Sequence, residues 1–245
     1  MMHGAHPNRP PAFLQMLSPE AHAAFLRLGT PRRYARGDVL IQEGDHTQEL
    51  VVLHEGSVKV TARQSRDREW LMDIRTTGDI VGEVAAMDDG PRSATVTACN
   101  DVSATVVPPG ELKHFLLTHP DASLAFTSLV SNRLRRADRL RLELGGYQVP
   151  VRVARVLLEL AESHGRPRWT LKGLEPNVRR ISVDLSQSEF AALTACAETT
   201  VQKALADLRK KRIIAAGCRL TTINDMNRLR EAAQVSLPRT QGHVT

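Results

Sequence analysis

Residues 82–96, GEVAAMDDGPRSATV, hold the side chains best suited to binding a charged ligand. Arg92 offers a planar fork of N–H donors that matches a phosphate, and Ser93 adds a hydroxyl. Glu83 can only accept hydrogen bonds, so it suits a sugar hydroxyl and would repel a phosphate. Gly82 permits a close backbone approach, and a helix that begins directly after it would offer free N–H groups to an anion. One acceptor beside several phosphate donors favours a cyclised ribose phosphate, although a surface turn with a salt bridge has the same composition.

The whole stretch resembles the phosphate-binding cassette of cyclic-nucleotide-binding domains, because glycine, glutamate, proline, arginine and a small residue fall in register. The resemblance implies that Glu83 binds the ribose 2′-hydroxyl and that Arg92 binds the cyclic phosphate. The expected ligand-binding residues are Gly82, Glu83, Val84, Ala85, Arg92, Ser93, Ala94, Arg133 and Asp138. Cyclic AMP is the expected ligand, with cyclic GMP and a cyclic dinucleotide as alternatives.

The composition limits the class of protein. With 245 residues the chain can form two modest domains, and none of its apolar runs approaches the length of a membrane span. The first 14 residues lack the apolar core of a signal peptide, which predicts a cytoplasmic protein. The three cysteines (Cys99, Cys196 and Cys218) form no CxxC pair, which argues against zinc or an iron–sulfur cluster. We find no pattern of catalytic or metal-ligating residues, so an enzyme is not expected.

The positive charge belongs to the C-terminal part of the chain. Residues 1–149 contain 17 Lys and Arg against 18 Asp and Glu, whereas residues 150–245 contain 16 against 9. A basic segment beside a nearly neutral one suggests a polyanionic partner for the basic segment. A solvated basic surface would have the same charge.

The N-terminal part reads as a β-roll that contains the cassette. Ser18-Pro19-Glu20 predicts the start of a short helix that runs to about Leu28. From residue 33 to 108, short apolar runs alternate with Gly-Asp and Glu-Gly turn signals, which is typical of a barrel or roll. The expected strands are Val39–Ile41, Leu50–Leu53, Val58–Val60, Trp70–Ile74, Ala94–Ala98 and Val102–Val107.

A long helix is expected from Asp121 to Leu144, with Gly145 and Gly146 ending it. An apolar seam suited to a parallel partner helix follows its length: Val130, Leu134, Ala137 and Leu144. In the family named above, this helix is the dimer axis and covers the nucleotide base. Aligned on Pro120-Asp121, the two hydroxyl residues that cyclic-AMP receptors use for the adenine become Ala137 and Asp138. Asp138 can accept a hydrogen bond from an amino group of a base, or it can pair with a neighbouring arginine.

The C-terminal part predicts two helices joined by a tight turn. After a hinge near 145–150, a helix from Val151 to about His164 is followed by a hairpin of Trp169–Leu171 and Arg180–Val183 with a long polar loop. Ser186 to Glu189 forms a capping-box pattern that opens a helix, and residues 194–197 connect it to a second helix, 198–211. In this second helix Val201, Ala204, Leu205 and Leu208 have core spacing. A β wing at 213–223 and a helix at 225–233 close the chain.

This segment resembles the winged helix-turn-helix of the catabolite-activator (cyclic-AMP receptor) regulators, and the resemblance as a whole covers about residues 33–225. Ala195 replaces a turn glycine and Ala197 a capping serine, while Glu198, Thr199 and Lys203 replace base-reading residues of the best-known member. The fold should therefore be the same, but the operator sequence of that member should not be assumed for this protein. The expected DNA-binding residues are Ser186, Gln187, Glu198, Thr199, Thr200, Gln202 and Lys203.

We therefore expect an α+β protein with four segments: a cyclic-nucleotide-binding β-roll at 1–119, a dimerisation helix at 120–146, a winged helix-turn-helix at 147–233 and a tail at 234–245. The resemblance implies a homodimeric, ligand-responsive transcription regulator that binds double-stranded DNA, with RNA polymerase as a further partner and no membrane association. Two alternatives stay open. One is a DNA-binding regulator that no cyclic nucleotide gates, and the other is a cyclic-nucleotide sensor that acts on a protein partner.

Overall fold

The computed structural model describes residues 11–65, 68–170, 173–181, 187–217 and 220–235. These residues form two compact units, 11–139 and 140–235, and the division falls within one long helix. Among the described helices, none is both long and apolar enough to cross a membrane. Ser186, Cys218 and most of the expected tail lie outside the described residues.

The N-terminal unit is a roll of two four-stranded antiparallel sheets with helices on one side. In chain order its elements are α1 (Phe13–Met16), α2 (Pro19–Phe25), β1 (Thr30–Tyr34), β2 (Val39–Ile41), β3 (Leu50–Glu55), β4 (Ser57–Ser65), β5 (Arg68–Thr76), β6 (Ile80–Val81), α3 (Glu83–Asp88), β7 (Thr95–Ala98), β8 (Val102–Val107), α4 (Pro109–Thr118) and α5 (Pro120–Gly146). The strand orders are β1-β8-β3-β6 and β2-β7-β4-β5. Every expected strand is present, and β4 and β5 extend well beyond their apolar cores.

Two buried clusters hold this unit together. One lies between the sheets and includes Val51 and Leu53 from the first sheet and Val58 and Val96 from the second. The other packs α1, α2, α4 and α5 against the outer side of the first sheet, with Phe13 among its fully buried side chains. The second cluster attaches the start of α5 to the roll, so α5 residues are held in fixed register with the strands.

Two expectations need correction, and one helix was missed. The first helix ends at Phe25 and not near Leu28, although Ser18 does cap it by accepting from the N–H of Ala21 at 3.2 Å. Helix α4 was not predicted; it begins at Pro109, and a proline in the first helical turn is favourable. Helix α5 includes Gly145 and Gly146, since glycine weakens a helix by only about 1 kcal/mol and does not forbid it.

The C-terminal unit contains the end of α5, then α6 (Val149–His164), β9 (Gly165–Thr170), β10 (Gly173–Ile181), α7 (Gln187–Thr194), α8 (Glu198–Lys210), β11 (Ile214–Gly217), β12 (Leu220–Ile223) and α9 (Met226–Ala232). Its four-stranded sheet has the order β11-β12-β10-β9. Helix α6 is the centre of the unit, because it contacts α7, α8, α9 and two of the strands.

The expected hairpin is wrong in its proportions. The segment expected to be a long polar loop is mostly strand β10, which pairs with β9 and β12. The pairing of β10 with β9 is irregular between Glu175 and Arg179. Helix α6 also begins two residues earlier than expected, with Pro150 in its first turn.

Candidate functional site

The cassette is a strand–helix–turn unit at the edge of the roll. Strand β6 leads through Gly82, whose φ is +83°, into α3. The helix ends at Asp88, and the next residue, Asp89, is also left-handed with φ +57° and accepts a hydrogen bond from Lys113 Nζ at 3.0 Å. The chain then turns back to Arg92 and reaches β7. This path places both ends of the sequence motif on one cleft.

Arg92 is buried and held by the protein itself. Its Nε donates to Thr47 Oγ1 at 2.9 Å and its Nη1 to the Gly82 carbonyl at 3.1 Å. Its Nη2 donates to the carbonyl of Glu49 at 2.8 Å and faces the Glu49 carboxylate at 3.4 Å. Burial lowers the pKa of Arg92, while the carboxylates of Glu49 and Asp45 act in the opposite direction. The guanidinium is therefore rigidly positioned, and most of its five N–H groups already have acceptors.

Gly82 has a second role that its sequence context did not reveal. A Cβ at this position would lie 2.6 Å from Arg92 Nη1 and 2.9 Å from both the Glu49 carbonyl oxygen and Ile41 Cδ1. The sequence predicted that glycine makes room for a ligand. The structure shows that it also makes room for the guanidinium of Arg92.

Glu83 forms an ion pair with Arg133 of α5. Arg133 also donates from Nη2 to the carbonyl of Ile80 at 2.7 Å, and both side chains are largely buried. The carboxylate expected to accept from a ribose is thus engaged by a guanidinium that the sequence also assigned to the ligand.

A cleft with an empty volume of about 420 Å³, measured to its open mouth, joins these groups; we call it the ligand cavity. It is lined by Ile41, Val60, Arg75, Val81, Gly82, Glu83, Val84, Ala85, Arg92, Ser93, Ala94, Val96 and Arg133. All but one of the nine expected ligand-binding residues are in this set. Asp138 is exposed and does not line the cavity of this chain.

Sequence reasoning missed a group of charges around the buried Asp73 beside the cavity, which we call the Asp73 cluster: Asp73, Arg75 and Arg136. Asp73 forms ion pairs with both arginines. Burial alone would raise the pKa of Asp73, but the two guanidinium groups outweigh it and hold that pKa below its usual value. Strand periodicity could have placed the first two residues together, because Asp73 and Arg75 alternate along β5 and pair with Val60 and Val58 on one face. Arg136 carries no such signal.

The helix-turn-helix is formed by α7 and α8. The turn residue Ala195 has φ +48°, the left-handed conformation for which glycine is the usual choice, and Ala197 caps α8 without a side-chain hydrogen bond. The buried Thr194 hydroxyl donates to the carbonyls of Phe190 and Ala191, which closes the end of α7. The two departures noted in the sequence are therefore accommodated without a change of fold.

The expected core face of α8 is confirmed at Val201, Ala204 and Leu208, which are buried, while Leu205 is only half-buried. The expected DNA-binding residues that the structure describes are all exposed: Gln187, Glu198, Thr199, Thr200, Gln202 and Lys203. Gln202 Nε2 donates to Gln187 Oε1, so these two side chains connect α8 to α7. The first turns of α8 thus present a continuous polar surface.

Comparison with known proteins agrees with both units. The sequence matches the family model of the cyclic nucleotide-binding domain over residues 31–119 and that of the Crp-like helix-turn-helix domain over residues 151–232. The CRP-like cAMP-activated global transcriptional regulator of Mycobacterium tuberculosis is 31% identical over 220 residues, which cover 90% of this chain and 95% of that protein.

Solved structures show the same fold. The c-di-GMP responsive global regulator CLP of Xanthomonas campestris superposes with a TM-score of 0.68 at 21% identity, covering 84% of this chain and 99% of that one. A CooA mutant from Carboxydothermus hydrogenoformans gives a TM-score of 0.71 at 20% identity, covering 92% and 97%. A cyclic-nucleotide-binding domain joined to a helix-turn-helix domain defines a transcription regulator and not an enzyme. The chain belongs to the cyclic-AMP receptor (CRP/FNR-type) family of transcription regulators.

Proposed function

We propose that this regulator binds a cyclic nucleotide in the ligand cavity and a two-fold operator through α7 and α8. The observation that carries the proposal is the convergence of Arg92, Ser93 and Glu83 on one cavity. Arg92 binds the cyclic phosphate, Glu83 accepts from the ribose 2′-hydroxyl, and Ser93 adds a donor to the phosphate. Gly82, Val84, Ala85 and Ala94 form the surrounding wall.

Ligand entry requires an exchange of partners inside the cavity. The phosphate replaces the weak contact between Arg92 and the Glu49 carboxylate, and the ribose replaces part of the contact between Glu83 and Arg133. Arg133 then neutralises the additional negative charge. Because Arg133 belongs to α5 and Glu83 to the roll, the exchange links the ligand to the long helix.

The DNA-binding roles follow from exposure and chemistry. Glu198 at the start of α8 can accept from cytosine N4, and Lys203 can donate to guanine O6 or N7. Gln187, Thr199, Thr200 and Gln202 supply further contacts, and Ser186 lies outside the described residues. The competing role for Glu198 is to complement the helix dipole without touching a base. Selected-site sequencing with Glu198→Ala and Lys203→Ala decides between these roles, because an unchanged DNA motif in both variants would show that neither residue reads a base.

A two-fold operator requires a dimer, for which we propose the exposed apolar residues of α5. Val130 and Leu134 are solvent-exposed in the single chain, and Leu134 is 61% exposed. Pairing α5 with its copy would place two recognition helices on half-sites about 34 Å apart. We infer further that the dimer operates in the cytoplasm and contacts RNA polymerase. The segment at 1–119 would bind the ligand, 120–146 would form the dimer and 147–233 would bind DNA, followed by the tail at 234–245.

Asp138 is proposed to select the ligand through an amino group of its base. It is exposed in the single chain, and a partner helix on α5 would bring it close to the cavity mouth of one subunit or the other. The alternative is an ion pair with a neighbouring arginine such as Arg135 or Arg141. The test of this role is to measure nucleotide affinity in wild type and Asp138→Thr, with and without operator DNA. If the variant ranks the nucleotides in the same order as the wild type, Asp138 does not select the ligand.

One observation favours a second candidate, a regulator that no cyclic nucleotide gates. Arg92 is satisfied by Thr47, Gly82 and Glu49, so the cassette is stable without any ligand. In that case the cassette would serve only to hold the roll together.

Calorimetry of the purified protein with cyclic AMP, cyclic GMP and cyclic dinucleotides separates the two candidates. We expect binding that Arg92→Ala abolishes, because a lost charge-assisted contact costs several kcal/mol. Lys113→Ala is the matched control, since this exposed cation pairs with Asp89 at the edge of the cassette and does not line the cavity. Circular dichroism must show that Arg92→Ala is folded, because the variant also loses its bonds to Thr47 and Glu49. Operator binding by a wild type that takes up none of these nucleotides would establish the ungated regulator.

A further inference from the structure

The floor of the ligand cavity runs from the phosphate end of the cassette to the Asp73 cluster. Strand pairing places Ile41, Val96, Val60 and Asp73 in one row across β2, β7, β4 and β5. Directly paired residues in an antiparallel sheet share a face, and each strand adds about 4.8 Å, so β2 and β5 are about 14 Å apart. The first three of these residues line the cavity.

The two ends of this floor carry different charged groups. The Arg92 end lies over β2, because the N–H of Gly44 bonds the Arg92 carbonyl at 2.9 Å and Ile41 adjoins Gly82. The other end lies over β5, where Arg75 lines the cavity two residues after Asp73 and on the same strand face. A ligand with a phosphate at one end and a base at the other therefore places its base toward Arg75.

Arg75 shares its carboxylate partner with a second arginine, because Asp73 also binds Arg136. Burial lowers the pKa of Arg75, the carboxylate of Asp73 raises it, Arg133 lowers it, and the carboxylates of Asp79 and Glu83 raise it. Since Arg75 lines the cavity, it brings a guanidinium with five N–H donors to the cavity wall.

We infer that Arg75 reads the base and that the ligand carries guanine. Guanine presents two acceptors, O6 and N7, on one edge, and this pair matches the fork of an arginine. Adenine has an amino group in place of O6, so two donors would face each other. The inference rests on the proposed cyclic-nucleotide site and deepens it. The guanine could belong to cyclic GMP or to a cyclic dinucleotide of guanosine.

Calorimetry of the full-length protein with cyclic GMP, cyclic IMP, cyclic AMP and cyclic di-GMP tests the inference. Cyclic IMP has O6 and N7 but lacks the 2-amino group, so it isolates the edge assigned to Arg75. We expect cyclic GMP and cyclic IMP to bind roughly 5- to 150-fold more tightly than cyclic AMP, the range for a good bidentate contact to a base. If only cyclic di-GMP binds, the guanine assignment stands and the source is the dinucleotide.

Two variants assign the preference to a residue. Arg75→Gln should reduce the ratio of cyclic GMP to cyclic AMP affinity to within about twofold of unity, while Arg136→Gln should keep it. Arg136 is the matched control, because it binds the same Asp73 but does not line the cavity. If Arg75→Gln does not fold, the wild-type ranking of the three mononucleotides still decides.

Three results would overturn the inference. Cyclic AMP binding as tightly as cyclic GMP in the wild type would refute it while leaving the cyclic-nucleotide site intact. A preference that survives in Arg75→Gln would assign the reading to another residue. Binding of none of the four nucleotides would refute the proposed function as well, which distinguishes the two failures.

Discussion

The most direct test of the cassette geometry is Gly82→Ala. Gly82 has φ +83°, and an added Cβ would lie 2.6 Å from Arg92 Nη1 and 2.9 Å from the Glu49 carbonyl oxygen. The guanidinium cannot move away freely, because it donates to that same oxygen at 2.8 Å and to the Gly82 carbonyl at 3.1 Å. A single methyl group should therefore displace Arg92 from its bonded position.

The expected loss of stability has two parts. A left-handed backbone costs alanine about 1–2 kcal/mol, part of which is offset because alanine restricts the unfolded chain. Displacing the guanidinium weakens one or both of its bonds to carbonyl oxygens, at about 1.5–3 kcal/mol for each bond to a charged group. We expect Gly82→Ala to be about 3 kcal/mol less stable than the wild type if one bond is lost, and less stable still if both are lost.

Gly37→Ala is the matched control for backbone strain. Gly37 belongs to the same unit and has φ +91°, yet a Cβ there meets nothing within 4 Å. This variant should therefore lose only the strain, about 1 kcal/mol.

Urea unfolding of the full-length protein in a Trp169→Phe background provides the assay. Trp70 is then the only tryptophan, and it lies in β5 of the roll. With a slope of about 2 kcal/mol per molar, the midpoint should fall by about 1.5 M for Gly82→Ala and about 0.5 M for Gly37→Ala. Equal midpoints in the two variants would refute the steric argument. Gly82→Ala should also bind cyclic nucleotide more weakly than Gly37→Ala, by calorimetry.

Three further predictions address other parts of the molecule. Glu49→Gln should raise nucleotide affinity about two- to fivefold by calorimetry, because the Glu49 carboxylate competes with the phosphate for Arg92. The gain is small because this carboxylate is 44% exposed; an unchanged or lower affinity would show that it does not compete. Leu134→Asp should give monomers by light scattering, whereas Leu117→Asp, which alters an 82%-exposed residue of α4, should stay dimeric; an intact Leu134→Asp dimer would place the interface elsewhere. Asp225 caps α9, and the hydrogen bond from the N–H of Arg228 is the main cause that holds the pKa of Asp225 below its usual value. The contribution of Asp225 to stability is therefore complete above about pH 4 and is lost as the pH falls through the depressed pKa. Asp225→Asn should reduce this acid-induced loss in the C-terminal unit, measured by thermal unfolding from pH 3 to 6, and an identical pH profile in the variant would contradict the assignment.

Local patterns in the sequence were sufficient for much of the fold. Short alternating strands, the Ser18 cap and the spacing of Val201, Ala204 and Leu208 each depend on residues within one or two turns of each other, and the structure confirms them. The cassette could be found for the same reason, since its functional groups lie within 15 consecutive residues. Along β10 the prediction of a loop was wrong, because pairing with β9 and β12 decided the outcome, and helix α4 was not predicted at all.

The charged partners inside the cavity were decided only by the tertiary structure. Arg92 meets Thr47 across 45 positions of sequence, and Arg133 reaches the carbonyl of Ile80 across 53. These contacts depend on strand register and on how α5 packs against the roll, neither of which leaves a periodic signal in the sequence. A buried arginine must find acceptors wherever the folded chain supplies them, since an unpaired charge in the interior is too costly. The sequence therefore determined which charged and polar residues are available to the proposed site, and the packing of sheet and helix determined which of them are already paired and which line the cavity.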